Sequence, residues 1–227
     1  QDLLAYESHQ KAAAAYARGF YSDLVMSFRG LDKDNILRPD TSLEKLATLK
    51  PAFDKRSGQG TLTAGNSTNL SDGASVALLS SEQWAHDNNK EIQAYLVDAQ
   101  VAAVDFVAGE GLLMAPAWAV AQLLKRNDLS LQDFDFYEIH EAFAAQVLCT
   151  LKAWESEEFC TTKLGMDGAL GAIDRSKLNV VGSSLALGHP FAATGARIVA
   201  TAAKLLKEKG QGRVLISICT AGGMGVA

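Results

Sequence analysis

Alternation between strand-like and helix-like segments constrains the fold of this 227-residue sequence more than any other feature. From Glu91 onward, short apolar runs of strand character alternate with longer runs that carry apolar residues at helical spacing. The strand-like runs are EIQAYLVDAQVAA, FDFYEIH, KLNVVGSS and GRVLISICT, and the helix-like runs are APAWAVAQLLKRN, EAFAAQVLCTLKAW and AATGARIVATAAKLLKEKG. A sheet covered by helices produces this alternation, so the sequence predicts an α/β fold.

The part of the chain before Glu91 is less regular. Residues 1–18 predict a helix that Gly19 closes, and Ser42 is placed to cap a short helix from Leu43. The stretch GQGTLTAGNSTNLSDG is long for a loop in a compact domain, which indicates a function or a domain junction. After it, ASVALLSS predicts a buried strand and EQWAHDNN a short helix.

Charge and cysteine content exclude several classes of function. The formal net charge is −5 and the isoelectric point is about 5.4, which argues against a surface that binds nucleic acid. The three cysteines form no CxxC pair, so a disulfide framework or a structural zinc site is not expected. Reduced thiols fit a cytosol-like compartment.

Three predicted strands end in reactive side chains. His140 follows FDFYEI, His189 follows NVVGSSLALG, and Cys219 follows RVLISI and leads into the glycines of AGGMG. Sites in open α/β sheets gather at the carboxyl ends of strands, where a histidine and a cysteine can form an acid–base or nucleophile pair. Glycine amides beside Cys219 can approach a ligand and stabilise a developing oxyanion. The simplest alternative for His189 is a polar turn residue without a chemical role.

Four motifs together resemble the thiolase (acyl-CoA acetyltransferase) family. HEAFAAQ, GHPFAATGAR and CTAGGMG, in this order, are similar to the C-terminal half of a thiolase, and LTAGNSTNLSDGAS resembles the CoA-contacting loop and the strand after it. The resemblance covers nearly the whole chain. It implies the C-terminal half of a thiolase-like α/β fold, a mixed sheet with helices on both faces, plus the tail of the loop domain.

The resemblance also divides the chain into three parts. Residues 1–70 would form the tail of the loop domain, 71–92 the last strand and helix of the N-terminal half, and 93–227 a C-terminal domain that lacks its final strand. The sequence begins without a methionine in a helix-like run and stops at AGGMGVA, so we expect a piece of a longer protein. The nucleophilic cysteine of the family would then lie upstream of this chain, in a missing N-terminal half.

The catalytic roles follow from the same resemblance, position by position. His189 would be the base that activates the nucleophilic cysteine, and Cys219 the second, acid–base cysteine. His140 stands where many thiolases have an asparagine that holds an oxyanion-hole water. With a histidine at this position, the sequence resembles the branch of the thiolase family whose members are β subunits of fatty-acid oxidation complexes. Ala221 replaces a more usual glycine whose backbone N–H faces the substrate.

The resemblance also implies which residues bind the substrate. Ala64, Thr68 and Leu70 would line the pantetheine path, while Leu112 and Phe143 would shape the acyl pocket. For each of these positions, ordinary loop or core packing is the alternative.

The resemblance implies that the full-length parent cleaves 3-ketoacyl-CoA with CoA to acetyl-CoA and a shortened acyl-CoA, or runs the reverse Claisen condensation. CoA would be a substrate, and no cofactor or metal is expected. Expected partners are CoA thioesters, further copies of the chain, the N-terminal thiolase half and a hydratase/dehydrogenase α subunit. The expected location is the cytoplasm, or the mitochondrial matrix of a eukaryote. Two alternatives remain: a ketoacyl-synthase-like condensing enzyme, and a non-catalytic CoA- or lipid-binding relative.

Overall fold

The computed structural model describes residues 1–227 and contains eight α-helices, one 3-10 helix and four strands. The helices are α1 (Asp2–Ala17), α2 (Leu43–Ala47), α3 (Glu82–Asp87), α4 (Ala115–Asn127), α5 (Ala144–Glu155), α6 (Glu157–Thr162), α7 (Ser184–Leu187) and α8 (Thr194–Lys209), with the 3-10 helix at Arg175–Lys177. The strands are β1 (Val101–Ala103), β2 (Phe136–Ile139), β3 (Val214–Thr220) and β4 (Met224–Val226). None of the helices is long and apolar enough to cross a membrane.

The four strands form one mixed sheet in the order β1-β4-β3-β2. Strands β2 and β3 run parallel, while β4 is antiparallel to both β3 and β1. Parallel strands need a crossover connection, which the chain from α5 to α8 supplies between β2 and β3. The prediction of a mixed α/β sheet is therefore confirmed.

Helices cover both faces of the sheet, and the side chains of β2 point alternately into the two cores that these helices form. Tyr137 and Ile139 belong to the larger cluster of 20 buried residues, to which α4 and α5 contribute. Phe136 packs on the opposite side against a smaller cluster that includes Leu205 of α8. Helices on both faces agree with the predicted architecture.

Two predicted strands are absent and a third is shorter than expected. KLNVVGSS instead runs from the last residue of the 3-10 helix to the first residue of α7 through a turn, with a single bridge between Leu178 and Tyr137. Gly182, at a φ of 78°, turns the chain out of the sheet at this point. ASVALLSS forms no ladder. In EIQAYLVDAQVAA only the last three residues form a strand, β1, which the backbone pair between Gln100 and Ala227 extends by one residue. No neighbouring strand lies beside the remaining residues to satisfy their backbone groups.

The chain continues past β3 into a short strand, β4, and the expectation that the C-terminal domain lacks its final strand stays a prediction. Gly222 and Gly223, both at positive φ, reverse the chain so that Met224 lies opposite Thr220. The three residues of β4 then insert between β3 and β1. A Cβ on Gly225 would lie 2.4 Å from the backbone nitrogen of Pro116, so only glycine lets α4 pack this closely on β4.

A loop-to-sheet contact completes the frame of the candidate site. The backbone N–H of Thr68 donates to the carbonyl of Ala142 (3.0 Å), and the N–H of Ala144 donates to the carbonyl of Asn66 (2.9 Å). These bonds fasten the Gly- and Asn-rich loop to the segment that follows β2. The loop therefore lies beside the carboxyl end of the sheet.

Candidate active site

The two histidines that the sequence singled out are in direct contact. The Nε2 atoms of His140 and His189 lie 3.1 Å apart, and their rings meet edge to face with centroids 4.2 Å apart. They are 49 positions apart in sequence, so the contact depends on the fold. A hydrogen bond between two imidazoles requires one ring to donate and the other to accept.

His140 is held rigidly at the end of β2. Its backbone N–H donates to the carbonyl of Ser217 on β3 (2.8 Å), which continues the parallel ladder by one step. Its Nδ1 lies 2.7 Å from Ser184 Oγ, and the side chain is buried. Burial, with smaller effects of His189 and Arg197, lowers the pKa of His140 to about 2. His140 is therefore a neutral imidazole at physiological pH.

His189 is aimed by the backbone on either side of it. Gly188 has a φ of 90°, and a Cβ there would lie 2.9 Å from both Ile36 Cδ1 and Ser71 Oγ. The ring Nδ1 lies 3.3 Å from Thr68 Oγ1. Partial burial and the charge of Arg197 lower the pKa of His189, which keeps the ring neutral and able to accept a proton.

Cys219 lies on β3 with only 5% of its surface exposed. Burial raises the pKa of its thiol to about 12, and the backbone amides of Cys219 and Ala142 only partly oppose that shift. Ala142 also accepts the hydroxyl of Thr68 (3.1 Å), the same hydroxyl that contacts His189. The segment after His140 thus connects Cys219 to the histidine pair, and the thiol is fully protonated near neutral pH.

The predicted substrate-binding residues divide into two groups. Thr68 contacts His189, and Phe143 packs against Phe53 with ring centroids 5.6 Å apart. The other predicted residues are solvent-exposed, Leu70 to 95%: Ala64, Leu70, Leu112 and Ala221. A role in ligand binding stays a prediction for all six positions.

The polar residues behind the histidines could not be identified from the sequence. Ser184 accepts a hydrogen bond from Arg197 Nη2 (2.8 Å) as well as touching His140. Glu141 is buried and accepts hydrogen bonds from Ser8 and Asn179, each at 2.7 Å. Glu141 and Arg197 both lie inside motifs quoted above, but nothing in their spacing shows that they face the site. Only Ser184, in a doublet of serines beside the GHP turn, carried a local signal.

The other two cysteines are placed differently from Cys219. Cys160 is buried and its thiol points to the carbonyls of Ala153 and Trp154 (3.4 Å each). Cys149 is exposed on α5. Neither thiol is hydrogen-bonded to a histidine, so neither has a neighbouring base that would activate it as a nucleophile. No group of three or more His, Cys, Asp or Glu side chains could hold a metal ion.

The fold and the site define an α/β protein with a mixed sheet in which a histidine pair and a buried cysteine lie at the carboxyl ends of two parallel strands. The family model described as "Thiolase, C-terminal domain" matches residues 90–227, and "Thiolase, N-terminal domain" matches residues 1–83. The chain belongs to the thiolase family.

Curated relatives and solved structures support this assignment. The 3-ketoacyl-CoA thiolases of Shewanella baltica and Vibrio cholerae are 43% identical over 233 residues, covering all of this chain. The acetyl-CoA acetyltransferase of Bacillus anthracis superposes over the whole chain with a TM-score of 0.81 at 38% identity. Human mitochondrial 3-ketoacyl-CoA thiolase, solved in complex with CoA, covers 99% of the chain with a TM-score of 0.80 at 32% identity.

The chain spans about half the length of these proteins. It covers 52% of the Shewanella baltica relative and 53% of the Vibrio cholerae relative. It covers 54% of the Bacillus anthracis chain and 52% of the human one. The division into residues 1–70, 71–92 and 93–227 stays a prediction.

Proposed function

We propose that this chain supplies the acid–base half of a thiolase active site, completed by a nucleophilic cysteine from an N-terminal half outside this sequence. The complete enzyme cleaves 3-ketoacyl-CoA with CoA to acetyl-CoA and a shortened acyl-CoA, and catalyses the reverse condensation. The contact between two neutral histidines, with a buried, protonated Cys219 linked to them through Ala142 and Thr68, is the observation that carries this proposal.

The first half-reaction uses His189 as the base. Its Nε2 takes the proton of the nucleophilic cysteine, and the thiolate attacks the C3 carbonyl of the substrate. The C2–C3 bond then breaks, which leaves a shortened acyl group on the cysteine and an enolate of acetyl-CoA. The Cys219 thiol protonates that enolate at C2, and acetyl-CoA departs. A thiol whose pKa is raised to about 12 keeps its proton until a strong base such as the enolate forms.

The second half-reaction reverses the proton transfers. The Cys219 thiolate takes the proton of an incoming CoA thiol, whose sulfur attacks the acyl group. The acyl–cysteine bond breaks, shortened acyl-CoA leaves, and the nucleophilic cysteine recovers its proton from His189. Negative charge develops on the acyl oxygen in both halves, and N–H groups of the two rings are donors available to it.

The histidine of HEAF supports a narrower assignment. It points to the degradative branch that works with a hydratase/dehydrogenase subunit, within a homo-oligomer of the thiolase chain, in the cytoplasm or the mitochondrial matrix. Native mass measurement of the complex from its own cells should show that subunit. A stable homo-oligomer without it would contradict this part of the proposal.

The function is tested in the intact parent with two active-site variants. His189→Asn should suppress acylation of the upstream cysteine, and its turnover should fall by about 10²–10⁴-fold because general-base catalysis is lost. Cys219→Ser should still acylate but stall afterwards, which intact-protein mass spectrometry would show as an accumulated acyl-enzyme. Cys149→Ser is the matched control, since Cys149 lies on the surface of α5.

This chain by itself should not cleave acetoacetyl-CoA, because none of its thiols is paired with a histidine base. Turnover by the 227-residue chain would mean that Cys219 is the nucleophile instead. Unchanged turnover of His189→Asn in the parent would remove the base from the proposal.

A condensing enzyme of the ketoacyl-synthase type is the second candidate, since that class pairs two histidines as this site does. Such an enzyme needs no acid–base cysteine. Full activity of Cys219→Ser with acyl groups on a carrier protein would favour it over the thiolase proposal.

A further inference from the structure

A continuous line of hydrogen bonds passes through both histidines. It runs from Arg197 Nη2 to Ser184 Oγ (2.8 Å), to His140 Nδ1 (2.7 Å), and across the ring contact to His189. From His189 Nδ1 it continues to Thr68 Oγ1 (3.3 Å) and ends at the carbonyl of Ala142 (3.1 Å). Each member has one partner on either side, so the position of every proton can be worked out from the ends.

The Ser184 end determines the tautomer of His140. The Arg197 guanidinium can only donate, so it cannot accept the hydroxyl proton of Ser184. The one other polar partner of that oxygen is His140 Nδ1, which must accept the proton. A neutral imidazole has one N–H, and in His140 it therefore lies on Nε2, the atom that faces His189.

The Thr68 end determines the tautomer of His189 independently. The carbonyl of Ala142 can only accept, so it takes the hydroxyl proton of Thr68. The Thr68 oxygen then accepts from His189 Nδ1–H, which leaves Nε2 of His189 without a proton. The two ends thus agree at the ring contact, where His140 Nε2–H donates to the lone pair of His189 Nε2.

We propose that Ser184 and Thr68 are positioning residues that fix complementary tautomers of the two catalytic histidines from opposite ends of this hydrogen-bond line. The resting site then presents one basic nitrogen, His189 Nε2, and one fixed donor, His140 Nε2–H. When His189 takes the proton of a thiol, both Nε2 atoms carry protons and face the same space 3.1 Å apart. They can no longer bond to each other, and both are free to donate to one oxyanion of the substrate.

This use of the tautomers rests on the proposed function, but the tautomers themselves are measured without turnover. In the 227-residue chain labelled with nitrogen-15 histidine, protonated and unprotonated ring nitrogens resonate in separate ranges. Long-range proton–nitrogen spectra should place the proton on Nε2 of His140 and on Nδ1 of His189. The opposite tautomer in either ring would overturn the proposal, whatever the activity of the parent enzyme.

Variants test whether Ser184 and Thr68 are responsible. Either end of the hydrogen-bond line is enough to fix both tautomers. The single variants Ser184→Ala and Thr68→Val should therefore keep both tautomers. The double variant should release them, and the ring nitrogens of both residues should shift toward values averaged between the two ranges. Ser184→Thr combined with Thr68→Val should keep the spectrum of the fixed tautomers, because threonine retains the hydroxyl.

The matched control replaces the neighbouring serine. Ser183 is buried and lies 3.4 Å from Arg197 Nη1, but it touches neither histidine. Ser183→Ala combined with Thr68→Val should leave the tautomers locked, which separates loss of the hydroxyl at 184 from general loosening of α7. A locked spectrum in the Ser184→Ala/Thr68→Val variant would exclude the positioning role. A released spectrum in the control would also exclude it.

Discussion

Glu138 is the most unusual residue outside the histidine pair. It lies on β2, is completely buried, and neither carboxyl oxygen has a hydrogen-bond partner. Burial raises the pKa of Glu138 to about 8. The positive charge of Arg197 lowers this pKa, the neighbouring Glu141 raises it, and Lys11 lowers it slightly. An unpaired carboxylate in a core is costly, so the folded protein keeps this group protonated well above the usual range.

This shift predicts how stability depends on pH. The folded state holds the Glu138 proton up to about pH 8, whereas the unfolded chain releases it near 4.5. Because the folded state binds more protons in this window, the free energy of unfolding should fall as pH rises from 4.5 to 8. Glu138→Gln should reduce that fall and raise stability at the upper end by on the order of 4 kcal/mol. Burial also raises the pKa of Glu141, so that carboxyl keeps its own part of the fall.

Urea denaturation at several pH values checks this prediction. Glu158→Gln, at an exposed position on α6, is the control and should leave the pH profile unchanged. A Glu138→Gln profile that falls as steeply as the wild type would show that the carboxyl does not titrate in this window.

The three thiols should differ sharply in reactivity. The thiolate is the reactive form, and the raised pKa of Cys219 leaves almost none of it near neutral pH. Cys160 is fully buried, while Cys149 is exposed. A short pulse of iodoacetamide on the native chain should label Cys149 first, as peptide mass spectrometry would show. Equal labelling in urea is the control, and fast native labelling of Cys219 would contradict its protonated, buried state.

At the scale of elements, the packing of α1 on α7 depends on Gly182. A Cβ there would lie 2.6 Å from the backbone oxygen of Ser8 and 2.8 Å from the backbone nitrogen of Ala12. Backbone atoms of a helix cannot move aside as a flexible side chain can, and the φ of 78° adds strain for any L-residue. The glycine is therefore what allows α1 to lie against the segment that carries Ser184 and His189.

Gly182→Ala should destabilise the fold by about 2–4 kcal/mol, from overpacking together with left-handed strain. Thermal unfolding followed by circular dichroism measures the loss. Gly168→Ala is the matched control, because a Cβ at Gly168 would meet nothing within 4 Å. Equal stability of the two variants would mean that α1 does not pack as closely as the structure shows.

Elements with a strong local pattern could be predicted from sequence. The helix α8, closed by Gly210, and the strands β2 and β3 were confirmed because periodicity and capping determine them locally. KLNVVGSS was wrongly predicted as a strand, because an apolar run carries no information on where Gly182 turns the chain. The hydrogen bonds of Ser184 and Thr68 join residues 44 and 121 positions apart, which no local pattern reveals.

At the scale of the whole molecule, one surface remains uncovered. We define this apolar surface by residues 76–79 together with residues 95–97. Its large side chains are exposed, including Val76 at 88%, Leu78 at 70% and Leu79 at 67%. The backbone of both segments lies outside the sheet and pairs with no strand. Exposed apolar side chains beside unpaired backbone favour association with another chain.

The chain should therefore associate as its concentration rises, through the apolar surface. Sedimentation velocity should show a fraction of larger species that grows with concentration. The double variant Val76→Lys/Leu79→Lys should shift the distribution to monomer, because charge on the segment opposes strand pairing. Met26→Lys is the matched control: Met26 is 84% exposed but lies outside the apolar surface. If Met26→Lys abolished association as fully as the double lysine variant, or if the wild-type chain stayed monomeric, the surface would not be an interface. Added N-terminal thiolase half should compete with self-association of the wild-type chain, because it would cover the same residues.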